Sequence, residues 1–284
     1  MRSAYDRGVS RAAVGSLLAA AHLGPTVVVT ATATTLAAML EAGTRTTVLV
    51  ALAFLAGQLS IGWSNDWVDA ARDTATGRRD KPIAQGAVSP TTVGRAAGFA
   101  AAAAVPLSLA LGLPAGVAHL VLVGAGWAYN LGLKATVWSW LPYAVAFGLL
   151  PAVVVLALPG HPSPPVWLVG VGALLGTGAH LVNVLPDLED DRATGVRGFA
   201  HRLGRAGTIA LAPTLLVAGS ALALVGPPGR APGYAVVVLA ATVVLAAVAG
   251  IAAVVGRRLL PLVAIAAIAV VDVVLLLVGA DPTA

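Results

Sequence analysis

Apolar residues run along this chain in blocks of about twenty, which is the length a helix needs to cross the hydrocarbon of a bilayer. The blocks fall at roughly 22–41, 45–64, 92–113, 115–130, 137–158, 165–186, 207–226, 233–255 and 258–279. The pattern therefore predicts about nine transmembrane helices. The third and fourth blocks are separated only by Leu113 and Pro114, so one kinked pair is the alternative to two helices there. No polar segment is long enough to link two domains, and 1–284 reads as a single polytopic all-α domain with polar motif loops at 64–91 and 183–206.

Composition agrees with the pattern. The chain is 58% hydrophobic and 10% charged, against about 25% charged in soluble domains, and its mean hydropathy is +0.91. The absence of cysteine excludes disulfides and thiolate metal sites. Lys and Arg outnumber Asp and Glu by 17 to 12, a balance that in a soluble chain would suggest nucleic acid. The distribution argues for a membrane instead. With nine spans and a cytoplasmic N-terminus, 15 of the 17 bases fall on cytoplasmic segments, with only Arg45 and Arg230 outside. That is the positive-inside pattern, and it places both motif loops in the cytoplasm. Met1 to Arg11 leads straight into apolar sequence with no A-x-A-type cleavage site, which reads as a signal-anchor first helix. Arginine dominates over lysine in an Ala-, Val- and Gly-rich chain, the usage of a GC-rich bacterial genome, so a bacterial cell membrane is the expected location.

The acids are concentrated. Eight of the 12 lie in two clusters, 66–80 and 187–191, each following an even-numbered span and so facing the same side of the membrane. Asp66, Asp69 and Asp73 stand at i, i+3 and i+7, one face of a helix if the second span continues past the membrane surface. Asn65 precedes them. Asp187 and Asp191 stand at i and i+4, with Asn183 one turn earlier. Two carboxylates about 5 Å apart at an effective dielectric near 20 repel by roughly 3 kcal/mol. A divalent cation reverses that sign, and Mg²⁺ typically takes one or two carboxylates together with substrate phosphate and water. Bases accompany both clusters: Arg72, Arg78, Arg79 and Lys81 in the first, Arg192 and Arg197 in the second. Acids to hold metal beside bases to hold phosphate suit a diphosphate. Solvated charge at a membrane edge is the competing explanation, and it accounts less well for two matched clusters on one side.

The motifs themselves are similar to those of the UbiA superfamily of intramembrane prenyltransferases. NDWVDAARD, Asn65 to Asp73, resembles its N-D-x-x-D-x-x-x-D signature, and DKPIAQGAVS the run that follows it, with Lys81 where many members have arginine. NVLPDLEDD, Asn183 to Asp191, resembles the second signature, and YNLGLK, Tyr129 to Lys134, a Tyr-to-Lys motif that is one residue longer here. The resemblance implies Mg²⁺-dependent transfer of a prenyl group from a polyprenyl diphosphate to an acceptor. It implies that Asn65, Asp66, Asp69, Asp73, Asn183, Asp187 and Asp191 hold Mg²⁺ and diphosphate. Lys81, Arg79, Lys134 and Arg197 would neutralise the leaving diphosphate, with Arg72 beside them. The acceptor stays open among aromatic, quinone-precursor and lipid-like molecules. A membrane terpene cyclase using the same ion chemistry is the nearest alternative. A cation-coupled transporter would carry its acids near the midplane, and these lie at the cytoplasmic edge.

Several residues lie outside the motifs. Tyr129, Trp63 and Trp67 are candidates to flank an allylic cation, although the two tryptophans also suit an interfacial belt. His22 is a candidate at the acceptor site. His119 and His180 fall within spans without metal-ligand spacing, and Asp272 is an isolated acid in the last span, open to either a packing or a cavity role.

Overall fold

The computed structural model describes residues 15–78, 81–186, 188, 191, 195–229, 233–255 and 259–279. Among them the chain is all-helical, and every apolar block of the sequence becomes a helix. These are α1 (Leu23–Met39), α2 (Gly43–Ala75), α3 (Pro90–Leu109), α4 (Leu113–Leu131), α5 (Leu141–Leu156), α6 (Val166–Val184), α7 (Phe199–Val225), α8 (Ala235–Val254) and α9 (Leu259–Gly279). Five of them, α2, α3, α6, α7 and α8, are long and apolar enough to cross a membrane.

Two boundaries differ instructively from the apolar pattern. α2 runs on for 33 residues, about 50 Å at 1.5 Å per residue. Hence the first acidic motif is helix as far as Ala75, not loop. α7 begins at Phe199 rather than near 207, with a break at Gly204 (φ 70°, ψ 174°). Its first turn escapes a hydrophobicity pattern because His201, Arg202 and Arg205 interrupt it. α3 and α4 are separate helices. The first starts with Ser89 as N-cap, its hydroxyl accepting from the Thr92 N–H at 3.1 Å, and with Pro90 in the first turn. The sequence signal for such a start is a capping hydroxyl followed by proline.

Successive helices pack side by side, α1 on α2, α2 on α3, and so on to α7. α8 and α9 pack on α7, and α9 also meets α6 and α1, closing a ring around a central cavity. The largest apolar cluster joins the ends of the helices remote from the acidic motifs, through Leu36, Phe54, Val153, Val154, Leu168 and Leu224. It seals that end of the ring. A second cluster knits α6, α7, α8 and α9 together around Leu181, Leu216, Ile265 and Ile268. Within that contact Asp272 is fully buried, and the Ser220 hydroxyl of α7 donates to its Oδ1. The isolated acid of the last span is thus a packing partner and lies outside the cavity wall.

Candidate active site

The central cavity measures about 820 Å³, and its mouth is formed by the charged motif residues. The first motif is positioned by α2. Its residues Asn65, Asp69 and Asp73 share the face turned into the cavity, as the i, i+4, i+8 spacing requires. Asp66, Asp69 and Asp73 are 2%, 6% and 4% exposed, so these carboxylates are not surface charges left to water.

Each acid is held by a base. Lys81 Nζ donates to Asp66 Oδ1 at 2.6 Å, and His22 Nε2 lies 2.8 Å from the same oxygen and 3.0 Å from Nζ. Lys134 donates to Asp69 Oδ1. Arg72 donates to Asp69 Oδ2 at 3.0 Å, and its Nε lies 3.7 Å from Asp73 Oδ1. Burial pulls the Lys134 ammonium below the ordinary lysine value, while the Asp69 carboxylate offsets part of that shift. His22 reaches Asp66 because α2 carries glycine at position 62. A Cβ there would sit 2.2 Å from the Ala21 carbonyl oxygen, so only glycine admits the left-handed turn at His22 (φ 51°) against the helix.

The second motif approaches from α6 and the segment after it. Asn183, near the end of α6, and Asp191 both line the cavity. The Asn183 amide donates to the Tyr143 hydroxyl at 3.3 Å, and His201 Nε2 lies 3.5 Å from Asp191 Oδ2. Asp187, Arg79 and Arg192 lie outside the described residues. Arg197 is described, but it is exposed and does not line the cavity.

Aromatic rings lie beside the charged mouth. Tyr129 meets Tyr143 edge-on with centroids 5.2 Å apart, Tyr143 lies 5.0 Å from the His180 ring, and Phe147 stacks on Tyr143 at 6.2 Å. His180 is fixed by Ser139, whose hydroxyl lies 3.1 Å from its Nε2 and accepts the Phe199 N–H at 2.9 Å. Trp63 and Trp67 stand elsewhere. The Trp63 indole donates to the Leu17 carbonyl at 2.8 Å, and Trp67 packs against Gly94 of α3, so neither lines the cavity. His119 is likewise remote, its Nδ1 2.7 Å from the Ser108 hydroxyl and its ring tilted against Phe54.

Sequence reasoning missed Tyr143, His201, Asn130 and Gln58, all of which line the cavity. The Asn130 amide accepts from Asn65 at 3.1 Å and donates to Ser64 at 2.8 Å, fixing the head of the first motif to α4. Its place beside Tyr129 in the Tyr-to-Lys motif was the one available signal.

The donors at the mouth are carboxylate and amide oxygens, the set that hard divalent cations prefer. Among the described residues no three acidic or imidazole side chains converge as a ready-made cation site.

The matching of paired polar motifs and ringed helices has a counterpart among known proteins. The model of the UbiA prenyltransferase family matches residues 23–258. The chain belongs to that family. No curated protein matches it in a sequence comparison. Solved UbiA-type structures share its fold. A structure of digeranylgeranylglyceryl phosphate synthase is 14% identical with a TM-score of 0.68, over 95% of this chain and 99% of that one. A UbiA homologue from Archaeoglobus fulgidus, bound to DMAPP and Mg²⁺, is 16% identical with a TM-score of 0.67, over 93% and 99%. The apo UbiA homologue from Aeropyrum pernix K1 is 20% identical with a TM-score of 0.67, over 88% and 98%. UbiA membership together with the apolar helices makes this an integral membrane protein.

Proposed function

We propose that this chain transfers a prenyl group from a polyprenyl diphosphate to an acceptor within the membrane, in a reaction that depends on Mg²⁺. The observation that carries the reading is the row of buried carboxylates on one face of α2, each countered by a base, at the mouth of an apolar cavity. The Archaeoglobus homologue bound to DMAPP or GPP with Mg²⁺ supports it. Nine membrane crossings with the mouth on the cytoplasmic side are the arrangement supported by 15 of 17 bases falling on one set of segments.

Asn65, Asp66, Asp69, Asp73, Asn183, Asp187 and Asp191 would hold Mg²⁺ by oxygen. The bound ion supplies positive charge to the diphosphate and so makes it a better leaving group. Lys81, Lys134, Arg72 and Arg79 would hold the remaining phosphate oxygens, with Arg197 as a further base outside the cavity wall. Their positive charge is worth most as negative charge builds on the departing oxygen. The C1–O bond breaks with its electron pair going to diphosphate. The resulting allylic cation would lie against the π faces of Tyr129, Tyr143 and Phe147, which favour a cation. The apolar wall below them keeps water away. An acceptor carbon or oxygen then bonds to C1 and gives up a proton to the released diphosphate or to water.

The aromatic group beside the mouth also favours a second reading, in which the cation is attacked by its own chain and the enzyme is a terpene cyclase. One assay addresses both. Purified protein in nanodiscs receives labelled geranyl diphosphate with and without Mg²⁺, and diphosphate release and organic products are measured. Release is expected to require Mg²⁺ and to fall by roughly 10²-fold or more in Asp66→Ala and Asp69→Ala. Release that persists in EDTA or in both variants would sink the metal mechanism. Cyclic hydrocarbon or alcohol formed in the absence of any acceptor identifies the cyclase.

A further inference from the structure

Gln58 is a polar residue that the charged chemistry at the mouth does not use. It lies on α2 seven residues before Asn65, about 10 Å nearer the sealed end of the ring, and it lines the cavity. The other polar side chains that line the cavity from α1, α2 and α4 have partners, and the unpartnered Thr30 hydroxyl of α1 lies off the cavity wall. The Thr32 hydroxyl donates to Val28, Ser60 accepts from Trp127 at 3.2 Å, and Asn65 and Asn130 bond to each other. The Gln58 amide has no hydrogen bond to any described residue. Gln58 is half-buried with its side chain on the cavity wall, so its two donors and one acceptor are open to a ligand there, and polar groups kept inside spans commonly mark a ligand path.

Charge is sharply segregated along the same cavity. The basic side chains that line it, Arg72, Arg78, Lys81 and Lys134, belong to the motif end. Away from the motif end, two to three turns along their own helices from His22, Asn130 and Tyr143, the wall includes Val29, Thr32, Leu122, Leu150 and Pro151, none of which can counter an anion. A ligand group that reaches Gln58 is therefore neutral, since an unpaired charge there would be desolvated without compensation.

From these observations, and resting on the prenyl-transfer reading above, we propose that Gln58 binds the acceptor through a neutral hydroxyl or carbonyl oxygen. The acceptor is then an uncharged molecule with an apolar body, and not a carboxylate or a phosphate ester. Its oxygen sits on the Gln58 amide and its body lies between that amide and C1 of the prenyl group. The prenyl tail follows the apolar part of the wall that α5, α6 and α9 form, along Leu150, Leu175, Ala269 and Val273.

The test uses a matched pair of probes, 4-(trifluoromethyl)phenol and 4-(trifluoromethyl)benzoate, followed by ¹⁹F NMR on the full chain in nanodiscs and on empty nanodiscs. The phenol is expected to bind saturably, and Gln58→Leu and Gln58→Met to weaken it about tenfold, the loss expected for one hydrogen bond to a buried group. The benzoate is expected to show no binding that depends on Gln58. Thermal melting of both variants confirms that they are folded, and the methionine variant keeps the length of the side chain if leucine disturbs packing. Phenol binding that is absent, or equal in wild type and folded variants, overturns the proposal, as does tighter binding of the benzoate at a Gln58-dependent site. Diphosphate release by the wild type is measured on the same preparation. Its absence overturns the prenyl-transfer reading, whereas Gln58-independent phenol binding with normal release overturns this inference alone.

Discussion

Lys134 shows what burial does to a single charge. Its ammonium is desolvated at the cavity mouth and held by Asp69, and the net effect is a pKa below the ordinary lysine value. The charge is complete below that lowered pKa and is lost as pH rises through it. An ordinary lysine would keep its charge to about pH 10.4. If Lys134 holds diphosphate, the alkaline limb of kcat/KM falls below that pH. Lys134→Arg, whose guanidinium does not deprotonate in this range, then moves the limb upward. A limb that stays in place in the variant removes Lys134 from the diphosphate site. The residues of the first motif were readable in advance because Asp66, Asp69 and Asp73 announce a helical face through spacing alone. Gln58, which lies two turns before the motif of α2, and His201, in the polar first turn of α7, were not. Nor was Tyr143, because it sits alone on a span that is apolar on all sides. Periodicity cannot say which way such a helix is turned. Only packing against the neighbouring helices shows which side chains meet in the cavity.

At the scale of elements, the decisive contact is between α5 and α6. A Cβ at Gly176 would stand 2.4 Å from the Tyr143 carbonyl oxygen, and one at Gly172 would stand 2.3 Å from that of Phe147. The G-x-x-x-G spacing lets the two backbones touch, as small-residue pairs do in lipid, and the helix so placed carries Tyr143 and Phe147. Gly176→Ala is therefore expected to cost about 1–3 kcal/mol through overpacking and to lower the melting temperature in detergent. Gly124→Ala, where a Cβ meets nothing within 4 Å, is the control and is expected to be neutral or slightly stabilising. Equal melting of the two variants would count against close α5–α6 packing. The abundance of glycine in the spans was plain from the sequence, but not which glycines meet another backbone. The acid spacing allowed a continuation of α2 without requiring it, so 64–91 read as a motif loop where the helix runs on to Ala75. The early start of α7 was hidden by its polar first turn.

The whole molecule turns apolar surface outward. α8 is the least covered of the spanning helices, with Val236, Val237, Val244 and Ile251 all well exposed. In water that face would be a liability, and in lipid it is ordinary. Val244, near the middle of the helix and 60% exposed, separates the two cases. Val244→Asp should cost about 3 kcal/mol at the centre of a spanning helix and reduce the amount of folded protein recovered from membranes. The yield is read by size-exclusion chromatography beside Val244→Leu, which should behave as wild type. Equal recovery would mean that this face of α8 does not meet lipid.

The bond between Ser220 and Asp272 acts on this same scale. Hydrocarbon offers no water to replace it, so α9 is held against α7 at one rotational setting. Ala269, Val270, Val273 and Val274, which flank Asp272 in sequence, line the cavity, while the acid itself faces the other way. A hydroxyl on a neighbouring helix thus works as an alignment pin. It fixes the bore of the cavity proposed to take the isoprenoid, without itself lining that cavity.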